Sequence, residues 1–290
     1  MRERVVDHEV PTDLAPVLGA RRDGSATVET TRGLLMTMLG EFVLPAGGEA
    51  WTRTLVAGLE LLGVQEKAAR QALSRLEADG WLTRARFGRQ ARWSLTDRAA
   101  RLLEEGAERI YGFGRTDRSW DGEWVVLLAS VPERERATRY RMAQRLSWVG
   151  FGPLGQAVWV CPWTTQEAVA QRVLADLGVE ATSFRGAVGA VGSADAVAGR
   201  AWSLGALADA YDQFLSEFVA EIEVGDAASA AVELTRLVHA WRKFPFLDPD
   251  LPAELLPAAW PGHRATELFA ERRERLSEPA RTWWQQIENG

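Results

Sequence analysis

Residues 62–95 read LGVQEKAARQALSRLEADGWLTRARFGRQARWSL, and this stretch decides the fold. Ala69, Ala72, Leu73 and Leu76 recur at i, i+3, i+4 and i+7, one face of an α-helix over 65–79. At about 100° per residue, the opposite face carries Lys67, Gln71, Ser74 and Ala78, flanked by Arg70 and Arg75. One face is built to pack; the other is polar, cationic and short enough to let a surface approach. Gly80 stops the helix, because glycine accepts the left-handed backbone just past a helix end. Residues 81–86 alternate like a strand, 87–90 turn and 91–95 return. Four arginines sit on this hairpin: Arg84, Arg86, Arg89 and Arg92.

Upstream, Thr31 is placed to cap a helix over 32–44 with Leu34, Leu35, Met38, Leu39 and Phe42 as its apolar stripe. PAGG at 45–48 breaks it. Thr52 is placed to cap a second helix through Leu62, with Leu55, Val56, Leu59 and Leu62 inward, and Gly63 turns into the third helix. Three helices and a hairpin predict an N-terminal winged helix-turn-helix over 31–95. Such a module sets one helix in the major groove of double-stranded DNA and its hairpin on the backbone or minor groove. The expected DNA contacts are Lys67, Arg70, Gln71, Ser74 and Arg75 on the helix, and Arg84, Arg86, Arg89 and Arg92 on the wing. Gln71 and Arg70 have side chains suited to bidentate contacts with base edges, and Lys67 to phosphate. Arg89, at the turn, is the wing residue best placed for DNA. The other three are divided between DNA and salt bridges to the domain surface, since four arginines on two strands cannot share one face.

Charge supports this reading. Between Val64 and Arg98 there are eight cations and four acids, a net of +4, in a chain whose formal net charge is −6. A local basic patch supplies phosphate attraction even when the whole protein is acidic.

The 290-residue chain has room for two or three domains with cores of their own. Its apolar runs are strand-sized, far below the ~20 residues of a membrane span. The single Cys161 excludes an intramolecular disulfide framework and suits a reducing cytoplasm. His8, His239 and His263 lack metal-ligand spacing, so no metal is expected. Thirteen tryptophans read mostly as core or interface anchors.

Residues 1–30 read as a loose, polar tail, with Arg2, Arg4, Arg21 and Arg22 more plausibly solvated than on DNA. After the winged domain, Thr96 caps a connector helix over 97–111, within a connector of 96–118. A middle α+β domain follows over 119–199. It reads as a strand at 123–131, an Arg-rich helix at 132–148 with Tyr140, Ala143, Leu146 and Val149 inward, and a strand at 156–162. A helix capped by Thr164 and a strand at 182–191 complete it. This β-α-β-β/α-β order suggests a ferredoxin-like fold. Residues 200–290 read as a helical C-terminal domain. Leu204, Leu207, Tyr211, Phe214, Leu215, Phe218 and Ile222 form one long stripe, read as internal core or as a dimer seam. A helix at 227–243, a proline-punctuated aromatic connection at 239–262 and a last helix at 264–287 follow. The overall class is α+β multidomain.

Four stretches carry a resemblance to a known family: TRGLLMTMLGEFVLPAGGEAWTRTLVAGLELLGVQEKAARQALSRLEADGWL from Thr31, WDGEWVVLLASVPERER from Trp120, RLSWVGFGPLGQAVWVCP from Arg145 and LVHAWRKFPFLDPDLPAELLPAAWPG from Leu237. Each resembles the phenylacetate-degradation repressor (PaaX-like) family of bacterial regulators, in the family's order, over roughly 31–284. The resemblance implies a winged-helix domain, a middle domain akin to a CRISPR-associated nuclease fold and a helical C-terminal domain. It implies a homodimer that represses transcription, with phenylacetyl-coenzyme A as the effector of its best-known members. Residues 1–30 look like an addition to the family pattern.

An acyl-coenzyme A effector needs cations for its phosphates and an aromatic slot for its acyl group. His239, Trp241, Arg242 and Lys243, at the end of a helix, offer both; so does the Arg-rich middle-domain helix, through Arg145 near Trp148. Catalysis is not expected. The first middle-domain strand ends Ala129-Ser130-Val131-Pro132, without the acid a metal-dependent nuclease needs there. Cys161 reads as a small core residue rather than a nucleophile. No phosphate-cradling glycine loop is present, and no cofactor is expected. Two functional classes remain: a ligand-responsive repressor, and a DNA-binding scaffold that senses no small molecule.

Overall fold

The alternation of helical and strand periods in the sequence yields an α+β protein with two antiparallel sheets. Its computed structural model describes residues 31–114, 119–220 and 225–290. The tail with Arg2, Arg4, Arg21 and Arg22, the connector end at 115–118 and Ile222 of the C-terminal stripe lie outside the described residues.

The chain forms two compact units. One holds Gly114–Tyr211 and Pro245–Gly262; the other holds, among the described residues, 31–113, Asp212–Phe244 and His263–Gly290. The 200–290 segment contributes residues to both. Some of its aromatic side chains meet elements far earlier in the sequence, as Trp284 meets Phe42 and Phe269 meets Tyr111.

In the second unit α1 (Thr31–Met38) widens into a π-turn at Leu39–Val43, β1 is Glu49–Trp51, α2 is Thr52–Leu61 and α3 is Glu66–Ala78. Then come β2 (Leu82–Phe87), β3 (Gln90–Leu95) and α4 (Asp97–Gly112). Gly63, at φ +82°, makes the left-handed turn between α2 and α3. Gly58 permits a close approach on the other side of α2: a Cβ there would lie 2.2 Å from Met38 Cε and 3.3 Å from the Trp283 ring. Thr96 caps α4 as expected, accepting from the Ala99 N–H at 3.2 Å.

Two expected caps differ. Thr31 is already helical, and Thr52 follows the N-cap, Trp51. The Thr52 hydroxyl instead accepts from Trp93 Nε1 and donates to Ala91 O, both at 2.9 Å, stapling α2 to the hairpin. The three strands pair in the order β1-β3-β2.

C-terminal helices complete this unit's core. α8 (Leu204–Phe218) supplies Phe214 and Phe218, α9 (Ala227–Trp241) packs against α1 and α2, and α11 (Pro261–Asn289) brings Phe269, Trp283 and Trp284. Trp241 is fully buried and stacks on Phe269 at 4.5 Å; Phe42 stacks on Trp284 at 5.2 Å. Phe214, Leu215 and Phe218 of this unit are buried, as are Leu207 and Tyr211, which belong to the first unit, so the stripe is core and not a free seam. A polar network crosses this core. Buried Glu41, in the π-turn, accepts from the Tyr111 hydroxyl and pairs with Arg273 at 3.2 Å, while the Arg273 guanidinium lies 3.8 Å from the Tyr111 ring centre. Burial, then the Glu41 carboxylate, pushes the Tyr111 hydroxyl far above its ordinary pKa, so it remains a donor.

The first unit contains β4 (Trp124–Ala129), α5 (Arg136–Trp148), β5 (Gly152–Pro153), β6 (Val158–Cys161), α6 (Glu167–Asp176), β7 (Ala181–Gly186) and α7 (Ala194–Ala201). The strands run in the order β5-β6-β4-β7, all antiparallel. One face buries Val125, Leu127, Trp159 and Cys161 under α5 and α6. Tyr140 is exposed, not inward; Met142 and Leu146 take the buried positions. Thr164 lies in a 3-10 turn ahead of α6 rather than capping it. α10 (Phe244–Leu247) links α9 to the proline-rich segment, in which Asp248 accepts from the Tyr211 hydroxyl at 2.7 Å.

Candidate nucleic-acid interface

The inward face of α3 is fixed by Ala69, Ala72, Leu73 and Leu76, all buried. With that face anchored, Lys67, Arg70, Gln71, Ser74 and Arg75 are all exposed and line one open depression of about 660 Å³. The three cations among them differ in readiness. Arg70 is held by Glu66, with Nε donating to the carboxylate at 2.7 Å, so a DNA contact must displace that pair. Among the described residues Lys67 and Arg75 have no ion pair. Neighbouring Arg32 is paired with Asp79 at 2.5 Å.

On the hairpin, register separates the arginines. Arg84 and Arg86 stand opposite Trp93 and Ala91 on one face; Arg92 stands opposite Ala85 and Trp51 on the other. Arg84 lies 5.5 Å over the buried Trp93 ring and 3.6 Å from Glu77. Arg92 lies 5.3 Å over Trp51 and 3.4 Å from Glu49. Both are thus engaged by their own domain. Arg86 and Arg89 are exposed, and Arg89 follows Gly88, whose φ of +62° makes the tight turn.

The residues expected to hold an effector fall in both units, His239, Trp241, Arg242 and Lys243 in the second and Arg145 in the first. Trp241 is sealed in the aromatic core, its Nε1 donating to Ile110 O at 3.1 Å, so it lines no slot. Arg242 is buried, and its guanidinium is held down to about 10 by that burial, with no carboxylate among the described residues offsetting it. Lys243, half-buried, is lowered by burial and raised in part by Glu217. His239 lies on α9 with Nδ1 3.1 Å from Thr37 Oγ1 on α1. That hydroxyl also reaches Gly33 O at 3.1 Å, and the tautomer of the imidazole sets which side of the Thr37–His239 contact donates. Burial, then Arg242 and Lys243, hold the His239 pKa down to about 3, so the ring is neutral. Arg145 belongs to the other unit, where Asp176 binds it at 2.8 Å.

Three contacts of this region were not legible in the sequence. The N–H of Trp51 donates to both carboxylate oxygens of Glu288 at 3.2 Å, and Arg53 donates to the Glu288 main-chain oxygen at 3.1 Å. Glu288 is 237 residues from Trp51, and no local pattern links them.

Comparison with known proteins places this geometry in a family. Three family profiles match in succession: "PaaX-like protein" over 30–99, "PaaX protein central Cas2-like domain" over 117–198 and "PaaX-like protein C-terminal domain" over 202–286. The chain belongs to the PaaX-like family. It is 32% identical, over 262 residues, to the protein named "Transcriptional repressor PaaX" of Escherichia coli (strain K12), covering 85% of this chain and 80% of that one. Among solved structures it is similar in fold to the uncharacterized protein Rv0674 from Mycobacterium tuberculosis, with a TM-score of 0.59 and 24% identity over 88% of this chain and 99% of the other.

Proposed function

We propose that this protein is a transcriptional repressor that binds a double-stranded DNA operator through a winged helix-turn-helix. The observation that carries the reading is the exposed face of α3, Lys67, Arg70, Gln71, Ser74 and Arg75, beside an arginine-bearing hairpin. The Escherichia coli relative is named a transcriptional repressor, which supports repression. In the first unit, the β-α-β-β-α-β order with strands β5-β6-β4-β7 supports a ferredoxin-like domain. A regulator rather than an enzyme fits this family. Among the described residues no helix is long and apolar enough to cross a membrane. The proposed role itself calls for the cytoplasm, where a bacterial repressor meets its operator.

One winged domain reads too few base pairs for useful genomic specificity, so the operator-bound form is a homodimer on two half-sites. The effector is an acyl-coenzyme A such as phenylacetyl-coenzyme A, with Arg242 and Lys243 as the cationic end of its site and neutral His239 beside them as a polar contact. Buried Arg242 supports this, since a buried cation gains most from an arriving anion. Trp241 would have to leave the core to touch the acyl group, and Arg145 serves only if it gives up Asp176.

The test begins with operator selection and Gln71→Ala. The variant should lose ~1–3 kcal/mol on the selected site and much less on random duplex; equal losses would make Gln71 a backbone contact. Phenylacetyl-coenzyme A, but not coenzyme A alone, should raise the melting temperature and release the DNA. Absence of both effects would remove the effector while leaving repression.

A further inference from the structure

We infer that Phe87, at the tip of the wing, is an apolar wedge that enters the DNA minor groove, unstacks one base step and bends the operator there. The inference rests on the DNA-binding reading above and adds a residue that reads deformability rather than base edges. Phe87 ends β2 and pairs with Gln90, the first residue of β3, so only Gly88 and Arg89 lie beyond it. Its side chain alternates with that of Arg86 and takes the opposite face of the hairpin, and the residue is 56% exposed. Single exposed apolar residues are ordinary on a protein surface. This one stands between Arg86 and Arg89, both exposed and without an ion pair among the described residues, whereas Arg84 and Arg92 are each tied to a carboxylate. The two wing cations available to phosphates thus bracket a large apolar side chain. Cations beside an apolar side chain that slips between base steps are the means by which minor-groove proteins hold and kink a duplex.

The ring is also held ready. It meets the Trp51 ring edge-on, with centroids 5.6 Å apart and planes at 77°, and Trp51 lies on β1 on the same face of the sheet. A side chain already braced in one orientation loses less freedom on insertion. Gly88, at φ +62°, keeps the tip thin: a Cβ built there would meet nothing within 4 Å, so the turn has no packing of its own to give up. The minor groove is about 6 Å wide, so a two-stranded ribbon cannot lie in it without widening it, and the tip leads. A ring pushed into the stack opens a pyrimidine–purine step such as TA or CA most easily. The wing therefore favours duplexes that carry such a step where its tip lands, without a hydrogen bond to any base there.

The experiment uses the full chain and an operator obtained by selection from random duplexes. It reads the bend by energy transfer between the duplex ends, and unstacking by permanganate oxidation of thymines. The parent, Phe87→Ala and Phe87→Leu are compared, with melting temperatures alongside. The parent should bend the duplex by at least about 20° and expose a thymine at a pyrimidine–purine step. Phe87→Ala should still bind but lose that bend and that reactive thymine. Phe87→Leu keeps an apolar wedge without the ring-on-ring contact to Trp51, so it should retain both signals. A Phe87→Ala that bends like the parent overturns the inference. Loss of both signals in Phe87→Leu at a parental melting temperature overturns it as well, since the ring would then serve Trp51 rather than the duplex. A parent that binds its operator with neither bend nor reactive thymine also overturns it and leaves the DNA-binding reading standing. A parent that binds no duplex at all overturns both.

Discussion

Replacing Arg273 by methionine tests whether the buried network between the π-turn, α4 and α11 holds the second unit together. Arg273 pairs with Glu41 at 3.2 Å, and Glu41's side chain is 4% exposed against 29% for Arg273. Breaking a buried ion pair from one side costs ~3–5 kcal/mol, because the remaining charge stays desolvated. Water reaches the arginine side, and the Tyr111 hydroxyl still donates to Glu41, so the cost falls below that range. The guanidinium over the Tyr111 ring adds ~0.5–1 kcal/mol. Methionine keeps most of the stem's packing. The expected loss is about 2–4 kcal/mol, read as a shift in the urea midpoint of tryptophan fluorescence at an unchanged slope. Adding Glu41→Gln to Arg273→Met removes the stranded charge and should recover at least about 1 kcal/mol, a coupling visible in a double-mutant cycle. A single-variant loss below about 0.5 kcal/mol, or strictly additive losses, would refute the argument.

Two further outcomes follow from the same geometry. Arg89→Ala should weaken binding to all duplexes alike and flatten the salt slope by about one unit, while Arg84→Ala, whose side chain is held by Trp93 and Glu77, should change it less; an unchanged slope for Arg89→Ala counts against the wing contact. His239 is about 3 in the folded protein against about 6.5 unfolded, so below pH 6.5 only the unfolded chain takes up the proton: stability is full above pH 6.5 and falls by about 1.4 kcal/mol per pH unit below it, until the folded ring itself titrates. Between pH 7 and 5.5 the parent should lose about 1 kcal/mol more than His239→Gln, and parallel pH profiles would show that His239 is not protected.

Helix α3 was legible because its information is local. Ala69, Ala72, Leu73 and Leu76 repeat at helical spacing, and the structure starts and ends α3 one residue inside the 65–79 reading. The same logic failed at Thr52, a residue of capping type whose hydroxyl is used across the sheet by Trp93 and Ala91. It failed again at Trp241. An aromatic beside two cations at a helix end describes a ligand slot and a buried core equally well, and Phe269, Phe214 and Phe244 decide for core. Periodicity identifies the face that packs but not what covers it. The Glu41–Arg273 pair spans 232 residues, and nothing near either residue marks the other.

That long-range packing bears on how a ligand would act on DNA binding. In the second unit α9 lies against α1 and α2, His239 reaches Thr37, and α11 touches α2 through Trp283 and β1 through Glu288. The helices that carry the proposed effector residues are thus part of the body that sets the position of α3. A ligand at the His239–Lys243 end changes DNA affinity only by its differential affinity for two arrangements of that body. Tight packing makes such arrangements discrete rather than graded. An effector that shifts α9 against α1 must break the Thr37–His239 contact or carry both residues together. The first course exposes His239 and returns its pKa toward 6.5, so release by that course would take up a proton below neutral pH. Effector affinity measured at pH 7.5 and 5.5 separates the two: proton-linked affinity supports rupture of the contact, and pH-independent affinity supports movement of α1 and α9 as one.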